Sequence, residues 1–428
     1  MFFLNKLILK ISSLKFAISL LLFIAFSSGI GTFIPQGMAR KEYLETYNLN
    51  PIFGFIDGEK ILLLELDHVY RSEWFLFSLF LLCASLASSS IRKQIPTLKA
   101  SLQWIDYDNK EKFNKLQLAS EWDDISNKQI ISEANQILKQ KGWEILKKEN
   151  RLSARKGVFG RLGPILVHTG LIILLIGSAY GNFSRKSSEE FLIPNEELDL
   201  INDSTKERFS LKLKDLNIER QDDGFPTQFT SKLEISSNES NEKIRRKAQV
   251  NSPLRYKGIT IYQADWAISK IILEIDKLKY QFSLKPVPEI GSQIWGVLVE
   301  LGENMKKNYL LTIDNENGPV KVFDIEDFSE VDLYQEEKGV EINSSNIKLL
   351  KIIPSSGLII KSDPSIPLIY FSFIVILIGA TLSLIPTKRI WIYKDNSLRK
   401  YYIGGLCNKN LAGFELEFKR LIEDIKQF

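Results

Sequence analysis

The sequence predicts a membrane protein with four transmembrane α-helices and a large, mainly antiparallel β domain outside the membrane. Three observations predict this fold class. Four long apolar stretches contain no Asp, Glu, Lys or Arg, basic residues concentrate in alternate connecting segments, and residues 183–365 carry strand and turn signals. A helix needs about 20 apolar residues to cross about 30 Å of hydrocarbon, and all four stretches approach or exceed that length.

The four charge-free stretches are residues 16–39, 74–91, 162–184 and 364–387. We predict spans at residues 16–35, 74–91, 162–182 and 366–387. The first stretch follows three lysines, as a signal peptide would. Because it is longer than the apolar region of roughly 7 to 15 residues in a signal peptide and no A-x-A cleavage site follows it, we interpret it as a span.

The charges of the connecting segments predict the orientation. Residues 1–15 have three lysines and no acid, residues 92–161 have fifteen basic against nine acidic residues, and residues 388–428 have nine against five. By the positive-inside rule these segments face the cytoplasm, or the stroma of an organelle, and residues 36–73 and 183–365 face the other side. The net charge of +4 therefore sums a basic inner face and an acidic outer face, and does not indicate nucleic-acid binding.

The outer segment of residues 183–365 is predicted to be a sandwich or open barrel of antiparallel strands. Its candidate strands are rich in β-branched and aromatic residues, and Asn, Asp, Gly and Pro clusters separate them. They are residues 209–214, 258–263, 270–275, 280–284, 294–301, 309–313 and 320–323. The polar run at 236–242 and the Pro-Ser-Ser-Gly at 354–357 are predicted loops.

The inner segments indicate little chemistry of their own. Residues 124–141 and 413–428 have helical periodicity, and we interpret both as amphipathic helices on the inner face of the membrane. The two cysteines, Cys83 in the second span and Cys407 in the tail, form neither a disulfide framework nor a C-x-x-C pair. We therefore expect no thiol chemistry from this chain.

His168 is the only side chain in the four stretches that titrates near neutral pH. It lies about 9 Å along the third span from Leu162, at about 1.5 Å per residue. An ionisable residue inside a membrane is by default a hypothesis about function, and imidazole is a common metal and haem ligand. Periodicity leaves three alternatives open: a hydrogen bond to a backbone group or to a Ser or Thr of another span, a proton relay, or metal or haem ligation.

Glycines mark one face of the same span. Gly163, Gly170 and Gly177 repeat every seven residues, and Gly181 completes a G-x-x-x-G spacing. Such a stripe favours close helix packing. At about 100° per residue it lies opposite His168, which therefore faces a second surface.

His68, the other histidine, immediately precedes the second span and is expected at the outer surface. About 20 Å of hydrocarbon would separate it from His168, so one iron cannot bind both. It is a candidate outer-surface site. The alternative is an interfacial residue that pairs with Asp67 or Glu65.

Four motifs, in order along nearly the whole chain, resemble the ResB/CcsB family of the System II machinery that attaches haem to c-type cytochromes. They are GTFIPQ at residues 31–36, LDHVYRSEWF at 66–75, GPILVHTG at 163–170 and NSPLRYKGITIYQADW at 251–266. The length, the inner loop and the Asp-His-Val-Tyr-Arg run are most similar to the cyanobacterial and plastid branch. This resemblance implies a thylakoid or plasma membrane, with the β domain in the lumen or periplasm.

The resemblance also implies roles and partners. His168 matches the intramembrane histidine proposed as an axial ligand of haem b, the transported substrate, and the second ligand is implied to come from the partner CcsA. Apocytochrome c is the other implied partner, while docking of a thioredoxin-like thiol reductant stays open. The chain is then a non-autonomous component of a holocytochrome c synthase, with no catalytic residue and no other metal ligand of its own.

Residues of the fourth motif are candidate contacts for apocytochrome or the partner. They are Tyr262, Gln263, Asp265 and Trp266. The alternative for them is a buried strand end with a packed aromatic side chain and Asp265 capping a turn.

Two other functions compete with the synthase subunit. A membrane-anchored assembly scaffold for apocytochrome or CcsA would never ligate haem. A transporter is disfavoured by the four spans, the single titratable residue and the absence of a recognisable inverted repeat.

Overall fold

The computed structural model describes residues 2–123, 130–201, 208–221, 226–237, 243–291, 293–301, 307–327, 329–335 and 338–427. These form two compact units. The first comprises Met1–Phe183 with Ser365–Phe428, and the second comprises Ser184–Pro364.

Four helices in the described chain are long and apolar enough to cross a membrane: Leu14–Phe33, Glu73–Leu102, Val158–Ser184 and Ile366–Ser383. They are called the first to fourth spanning helices. Together with the large set of antiparallel strands in the second unit, they confirm the predicted fold class.

The second spanning helix runs past residue 91, where the sequence predicts its end. It consists of Glu73–Ser89, a wider π turn at Ser90–Gln94 and a last segment Ile95–Leu102. In the π turn the N–H of Ile95 donates to the Ser90 carbonyl, one residue farther than in an α-helix. Pro96 explains the irregularity, because it has no N–H and its ring would clash with the preceding turn.

The third spanning helix packs on the fourth through its glycines. A Cβ added to Gly163 would lie 2.4 Å from the backbone N of Ser383, and one added to Gly170 would lie 2.6 Å from Cγ1 of Ile376. Gly379 of the fourth helix is equally close, at 2.7 Å from the backbone N of Val167. The predicted glycine stripe therefore faces the fourth helix, at a distance that excludes larger side chains.

The first unit also contains shorter helical segments. They are Phe2–Ile11, Arg40–Leu49, Gly58–Leu63, a 3₁₀ segment Leu66–Arg71, Lys110–Phe113, Ile130–Gln140, a 3₁₀ turn Val158–Arg161 that leads into the third spanning helix, and Leu411–Gln427. The segment between the first two spanning helices has its own small core, which includes Tyr43, Ile61 and Val69.

An α+β subdomain that the sequence did not predict completes the first unit. Its antiparallel sheet has five strands, in the order Leu118–Asp123, Lys400–Cys407, Lys388–Asp395, Arg151–Lys156 and Glu144–Lys148. The helices Ile130–Gln140 and Leu411–Gln427 contribute Leu138, Phe414 and Phe418 to its core.

The interpretation of these two helices as membrane-surface helices is therefore corrected. Their apolar faces are buried against the sheet, whose strands come from segments separated by two spanning helices. Residues 124–129 of the first predicted helix lie outside the described residues.

The β domain, Ser184–Pro364, contains three antiparallel sheets. The first has the order Leu278–Ser283, Ile259–Ile275, Ser345–Ser362 and Val340–Ile342, with Lys186–Leu192 also paired to Ser345–Ser362 and Leu254–Tyr256 to Ile259–Ile275. The second has the order Glu197–Ile201, Arg208–Arg220, Pro226–Ser237 and Lys243–Gln249. The third has the order Lys285–Pro286, Trp295–Leu301, Lys307–Ile313, Val320–Asp324 and Glu330–Leu333.

Two long strands, Ile259–Ile275 and Ser345–Ser362, run through both cores of this domain. One half of the pair packs with the second sheet in a core around Leu211, Leu233 and Ile261, and the other half packs with the third sheet around Ile271, Leu311 and Val320. Each of the seven predicted strand segments overlaps an observed strand, but 258–263 and 270–275 belong to one continuous strand.

The predicted loop at residues 354–357 is wrong, because these residues lie inside the strand Ser345–Ser362. Pro354 is tolerated where the ladder is irregular: Ile268 pairs with Pro354 and Lys270 with Ile353, so that Ser269 is an extra residue. Neither neighbour on the other edge, Val340–Ile342 or Lys186–Leu192, reaches Pro354. Its missing N–H therefore removes no ladder bond there. Of the other predicted loop, Ser236 and Ser237 are in a strand and residues 238–242 lie outside the described residues.

Candidate functional site

His168 is half-buried in the third spanning helix, and its ring faces the second spanning helix. Its Nδ1 lies 3.0 Å from Oγ of Ser90 and 3.3 Å from the carbonyl oxygen of Leu86. Nε2 of Gln94 lies 3.2 Å from both ring nitrogens. As the glycine stripe predicts, the histidine faces away from the fourth helix and towards another polypeptide segment.

One arrangement of hydrogens satisfies all three polar side chains in a closed ring. The Nδ1–H of His168 donates to the Ser90 hydroxyl, which donates to Oε1 of Gln94 at 3.0 Å. The Gln94 amide then donates to Nε2 of His168 at 3.2 Å. Since a neutral imidazole has one donor and one acceptor nitrogen, this arrangement assigns the proton to Nδ1 and the lone pair to Nε2.

This tautomer is the one that an axial metal ligand needs. A ligating histidine usually donates its other ring N–H to a hydroxyl, carbonyl or carboxylate, which fixes the orientation of the ring. Ser90 and Leu86 fill that position here. The Gln94 amide nitrogen is 3.2 Å from both ring nitrogens, and in this arrangement its hydrogen bond to Nε2 has to break before Nε2 can bind iron.

Sequence reasoning missed Ser90 and Gln94 as partners of His168. The π turn, a feature frequent at functional sites, presents both on one face of the second helix. A signal was present in the sequence: two polar residues four apart, followed by Pro96, after an apolar run. Gln94 lies beyond residue 91, the predicted end of the span, and the π turn that brings it to His168 is not evident from the sequence.

His68 lies in the 3₁₀ segment Leu66–Arg71, and its Nδ1 is 2.8 Å from Oδ2 of Asp67. It lines a cavity of about 250 Å³ with Gln36, Gly37, Asp67, Tyr70, Arg71 and Asn182. The segment precedes Glu73, and about 25 Å of helix separates Glu73 from Ser90 at 1.5 Å per residue. The structure thus keeps the two histidines apart, as expected.

Gln36 anchors the His68 segment, a role that the sequence did not indicate. Its amide donates to the carbonyls of Ile34 and Leu66, at 2.8 Å and 2.9 Å, and its carbonyl accepts the N–H of Val69 at 2.9 Å. From the sequence, Gln36 is interpreted as part of the first family motif or as a residue that ends the first spanning helix at the membrane surface. The side chain in fact joins the end of the first spanning helix to the residues that hold His68.

The four candidate contact residues of the β domain lie on the strand Ile259–Ile275 but do not share one surface. Tyr262 and Asp265 are exposed, whereas Gln263 and Trp266 are buried. The Trp266 ring packs 5.0 Å from Trp295 and 6.0 Å from Phe229. A contact surface at this strand can therefore include only Tyr262 and Asp265.

Gln263 belongs to a buried polar cluster between the two cores of the β domain. Its Oε1 accepts hydrogen bonds from Ser231 at 2.5 Å and Ser356 at 2.9 Å. Asp265 accepts the N–H of Trp266 at 2.8 Å, at a β-bulge between Gln263 and Asp265. These contacts resemble the structural alternative, with a packed aromatic and a capping carboxylate, except that they lie in the middle of a strand.

The described residues contain no group of three or more His, Cys, Asp or Glu side chains that could hold a metal ion. The cysteines Cys83 and Cys407 are free, and Cys407 is buried with its thiol 2.7 Å from the carbonyl of Lys409.

The fold and the site define a class of polytopic membrane protein. It has four spanning helices, a β domain, and a histidine in the third helix that is hydrogen-bonded to the second. The ResB-like family matches residues 14–331 and 290–419. The chain is 59% identical, over 422 residues and 99% of both chains, to cytochrome c biogenesis protein CcsB of Prochlorococcus marinus subsp. pastoris strain MED4. It is 40% identical to the CcsB of Synechococcus sp. strain WH7803, over 99% of this chain and 98% of the relative. The chain belongs to the ResB-like family, and the predicted resemblance is confirmed.

A solved structure, Cytochrome c Heme Lyase CcmF, also shows a weak likeness. It covers 76% of this chain and 42% of its own, at 10% identity and a TM-score of 0.26. The chain thus spans less than half the length of that protein, and the score is too low to indicate a shared fold.

Proposed function

We propose that the chain is a membrane subunit of the System II cytochrome c synthase, needed for haem delivery across the membrane and covalent attachment of haem to apocytochrome c. The near-full-length identity to curated cytochrome c biogenesis proteins supports this process. The observation that carries the haem-binding part is the oriented imidazole of His168, with its Nδ1 held by Ser90 and Leu86.

His168 is the candidate axial ligand of the transported haem, which we take to be haem b. Its imidazole is in the required tautomer, with the lone pair on Nε2, and rotation of the Gln94 amide would make this nitrogen available. One histidine supplies one axial position, and His68 is too far away to supply the second. The second ligand would then come from a partner protein, for which CcsA is the candidate.

Attachment adds two cysteine thiols of a C-x-x-C-H apoprotein to the vinyl groups of haem. This step needs reduced thiols, reduced iron and held geometry, and proximity alone supplies much of such a rate gain. The residues of this chain would hold and orient the haem rather than exchange protons with it. A thioredoxin-like reductant is a candidate third partner, because the two cysteines of this chain do not form a redox pair.

In the proposed topology the β domain faces the lumen of a thylakoid, or the periplasm, and the α+β subdomain faces the cytoplasm or stroma. The excess of Lys and Arg in residues 92–161 and 388–428 supports this orientation. Tyr262 and Asp265 are then candidate contacts for apocytochrome on the outer side. The cavity beside His68 is a candidate outer-surface site.

The test of haem ligation is the absorption spectrum of the purified complex of this chain with its partner. With His168→Ala we expect altered Soret and α bands, and imidazole in the medium should restore them. His68→Ala is the matched control and should leave the bands unchanged. Unchanged haem content and spectrum in His168→Ala would instead favour a scaffold.

A scaffold that never ligates haem is the second candidate function. The observation that favours it is the closed hydrogen-bond ring, which satisfies His168 without any ligand. In that case His168 would only join the second and third spanning helices, and the apocytochrome would still be captured by the β domain.

The topology has its own test. In a chain with Cys83 and Cys407 replaced by Ser, a single cysteine is introduced at exposed Lys279 of the β domain or at exposed Lys147 of the α+β subdomain. A membrane-impermeant maleimide added on the lumenal or periplasmic side should label the first and spare the second. The reverse pattern would overturn the orientation.

A further inference from the structure

A cavity of about 360 Å³ lies beside the ends of the second, third and fourth spanning helices, next to the α+β subdomain. Its polar lining side chains are Thr97, Ser101, Gln117, Arg161, Thr387, Arg389, Cys407 and Asn408. Among the residues that the structure describes, two guanidinium groups and no carboxylate line this cavity.

Arg161 is the less satisfied of the two arginines. It is the last residue of the 3₁₀ turn that leads into the third spanning helix, and it is half-buried. Its Nε is fully buried and has no hydrogen-bond partner among the described residues. A buried donor on a charged group without a partner is costly, and the cost falls when an anion binds.

Arg389 faces the same cavity and is only partly satisfied by neutral groups. Its Nη2 donates to the carbonyls of Ala100 at 2.9 Å and Ser101 at 2.7 Å, at the end of the second spanning helix. Burial, then the positive charge of Arg155, and more weakly that of Arg161, lower the pKa of Arg389. The cavity is thus a site of uncompensated positive charge.

Arg155 does not line the cavity, and its positive charge is paired with a carboxylate of the same subdomain. Its Nε donates to Glu144 at 2.7 Å, and its guanidinium lies 4.2 Å from the ring centroid of Trp104. It therefore offers a matched control for changes at Arg161.

The cavity is in register with His168. Arg161, in the 3₁₀ turn just before the α-helix begins at Gly163, precedes His168 by seven residues, which is roughly two turns and about 10 Å of rise. On the second helix, polar residues follow the spacing four, three, four and so share one face: Ser90, Gln94, Thr97 and Ser101. Of these four, Ser90 and Gln94 contact the ring of His168, and Thr97 and Ser101 line the arginine cavity, so one polar face of the second helix extends from His168 to the cavity.

We infer that this cavity is an anion site for the carboxylates of a membrane-embedded tetrapyrrole, the propionate edge of the haem whose iron His168 would hold. Haem is a rigid amphiphile with iron at its centre and two carboxylates on one edge. A single helix that holds both must present a ligand and a cation on one face, and the third helix does so with His168 and Arg161. The inference rests on the proposed function.

The phosphate of an anionic lipid has the same kind of oxygens and would suit the same arginines. Only the haem carboxylates, and not a lipid phosphate, would make haem affinity depend on this cavity. The test therefore has one arm for haem and one for lipid. Both arms use the full-length chain purified with its partner.

In the first arm, iron protoporphyrin IX and its dimethyl ester compete for the complex, followed by the Soret band. We expect the free acid to bind about tenfold more tightly than the ester, the effect of one charge-assisted hydrogen bond. Arg161→Gln should remove that preference, Arg161→Lys should keep part of it, and Arg155→Gln should keep all of it. Equal binding of acid and ester by the unmodified complex would overturn the inference.

In the second arm, the complex is placed in nanodiscs of phosphatidylcholine with or without phosphatidylglycerol, and co-purified lipid is measured. Loss of phosphatidylglycerol enrichment in Arg161→Gln, with an unchanged acid-to-ester ratio, would assign the cavity to a lipid headgroup and overturn the inference. The variant His168→Ala distinguishes a failure of the proposed haem ligation from a failure of the carboxylate site. If it leaves the haem spectrum unchanged, the proposed ligation fails, whereas a changed spectrum with no effect of Arg161→Gln refutes only the carboxylate site.

Discussion

The two faces of the third spanning helix make different kinds of contact with their neighbouring helices. The face with Gly163, Gly170 and Gly177 meets the fourth helix so closely that a methyl group at Gly163 would lie 2.4 Å from a backbone nitrogen. The face with His168 meets the second helix through three polar side chains and leaves an imidazole nitrogen that an amide can uncover. The comparison teaches that rigid packing on one side of a helix can support an adjustable polar site on the other.

The largest effect on stability is expected on the glycine face. Gly163→Ala should destabilise the folded protein by about 2–3 kcal/mol, because the added Cβ overlaps backbone atoms of Ser383 and Gly379 that cannot move far. Thermal unfolding in detergent or nanodiscs measures it. Gly29→Ala in the first spanning helix is the control, since nothing lies within 4 Å of the added Cβ. Equal effects at both positions would show that the close contact of Gly163 with the fourth helix is not the cause of the destabilisation.

A smaller effect on stability is expected on the histidine face. His168→Ala should cost about 0.5–1.5 kcal/mol, the range of interhelical hydrogen bonds in membranes, although we expect it to alter haem binding strongly. Unfolding and haem spectra of the same preparation test both halves of the statement. A loss as large as that of Gly163→Ala would mean that His168 is mainly structural.

The third prediction concerns the amide that covers the imidazole. Gln94→Ala should raise haem affinity about threefold to tenfold, because a hydrogen bond of about 1 kcal/mol no longer has to be broken before Nε2 is available. Titration with haem measures it, with exposed Gln103→Ala as the control. Weaker binding in Gln94→Ala would show that the amide supports the ligand rather than competing with it.

The smallest effect is expected next to His168 on the lipid side. Thr169 is exposed, so Thr169→Val should change stability by less than about 0.5 kcal/mol and leave haem binding unchanged. The same unfolding and titration assays apply. A clear effect on haem binding would mean that a partner helix contacts the third helix there as well.

The sequence was sufficient for features that depend on local pattern. Charge-free runs predicted the four spanning helices, and the seven-residue spacing of glycines predicted both a packing face and the opposite direction of His168. Alternation and a high content of β-branched and aromatic residues predicted six of the fifteen described strands of the β domain. These properties depend on neighbours within a few turns of the chain, and one sequence contains them.

Features that depend on distant residues were not predictable in this way. The sheet of the α+β subdomain pairs Arg151–Lys156 with Lys388–Asp395, across two spanning helices. The irregularity that admits Pro354 depends on the register of its partner strand. For the site, the position of His168 and a hydroxyl partner were foreseen, but Ser90 and Gln94 were not, because the π turn that orients them arises from Pro96.

The α+β subdomain has a consequence for how the protein is made. Its two central strands, Lys400–Cys407 and Lys388–Asp395, leave the ribosome after the other three, and Leu118–Asp123 pairs with no described strand except Lys400–Cys407. Until the last spanning helix is inserted, the earlier strands have open edges and half of their core is missing. Completion of this sheet therefore has to wait for the fourth spanning helix, and a chain that stops before residue 388 would leave Leu118–Asp123 and one edge of Arg151–Lys156 without their partner strands.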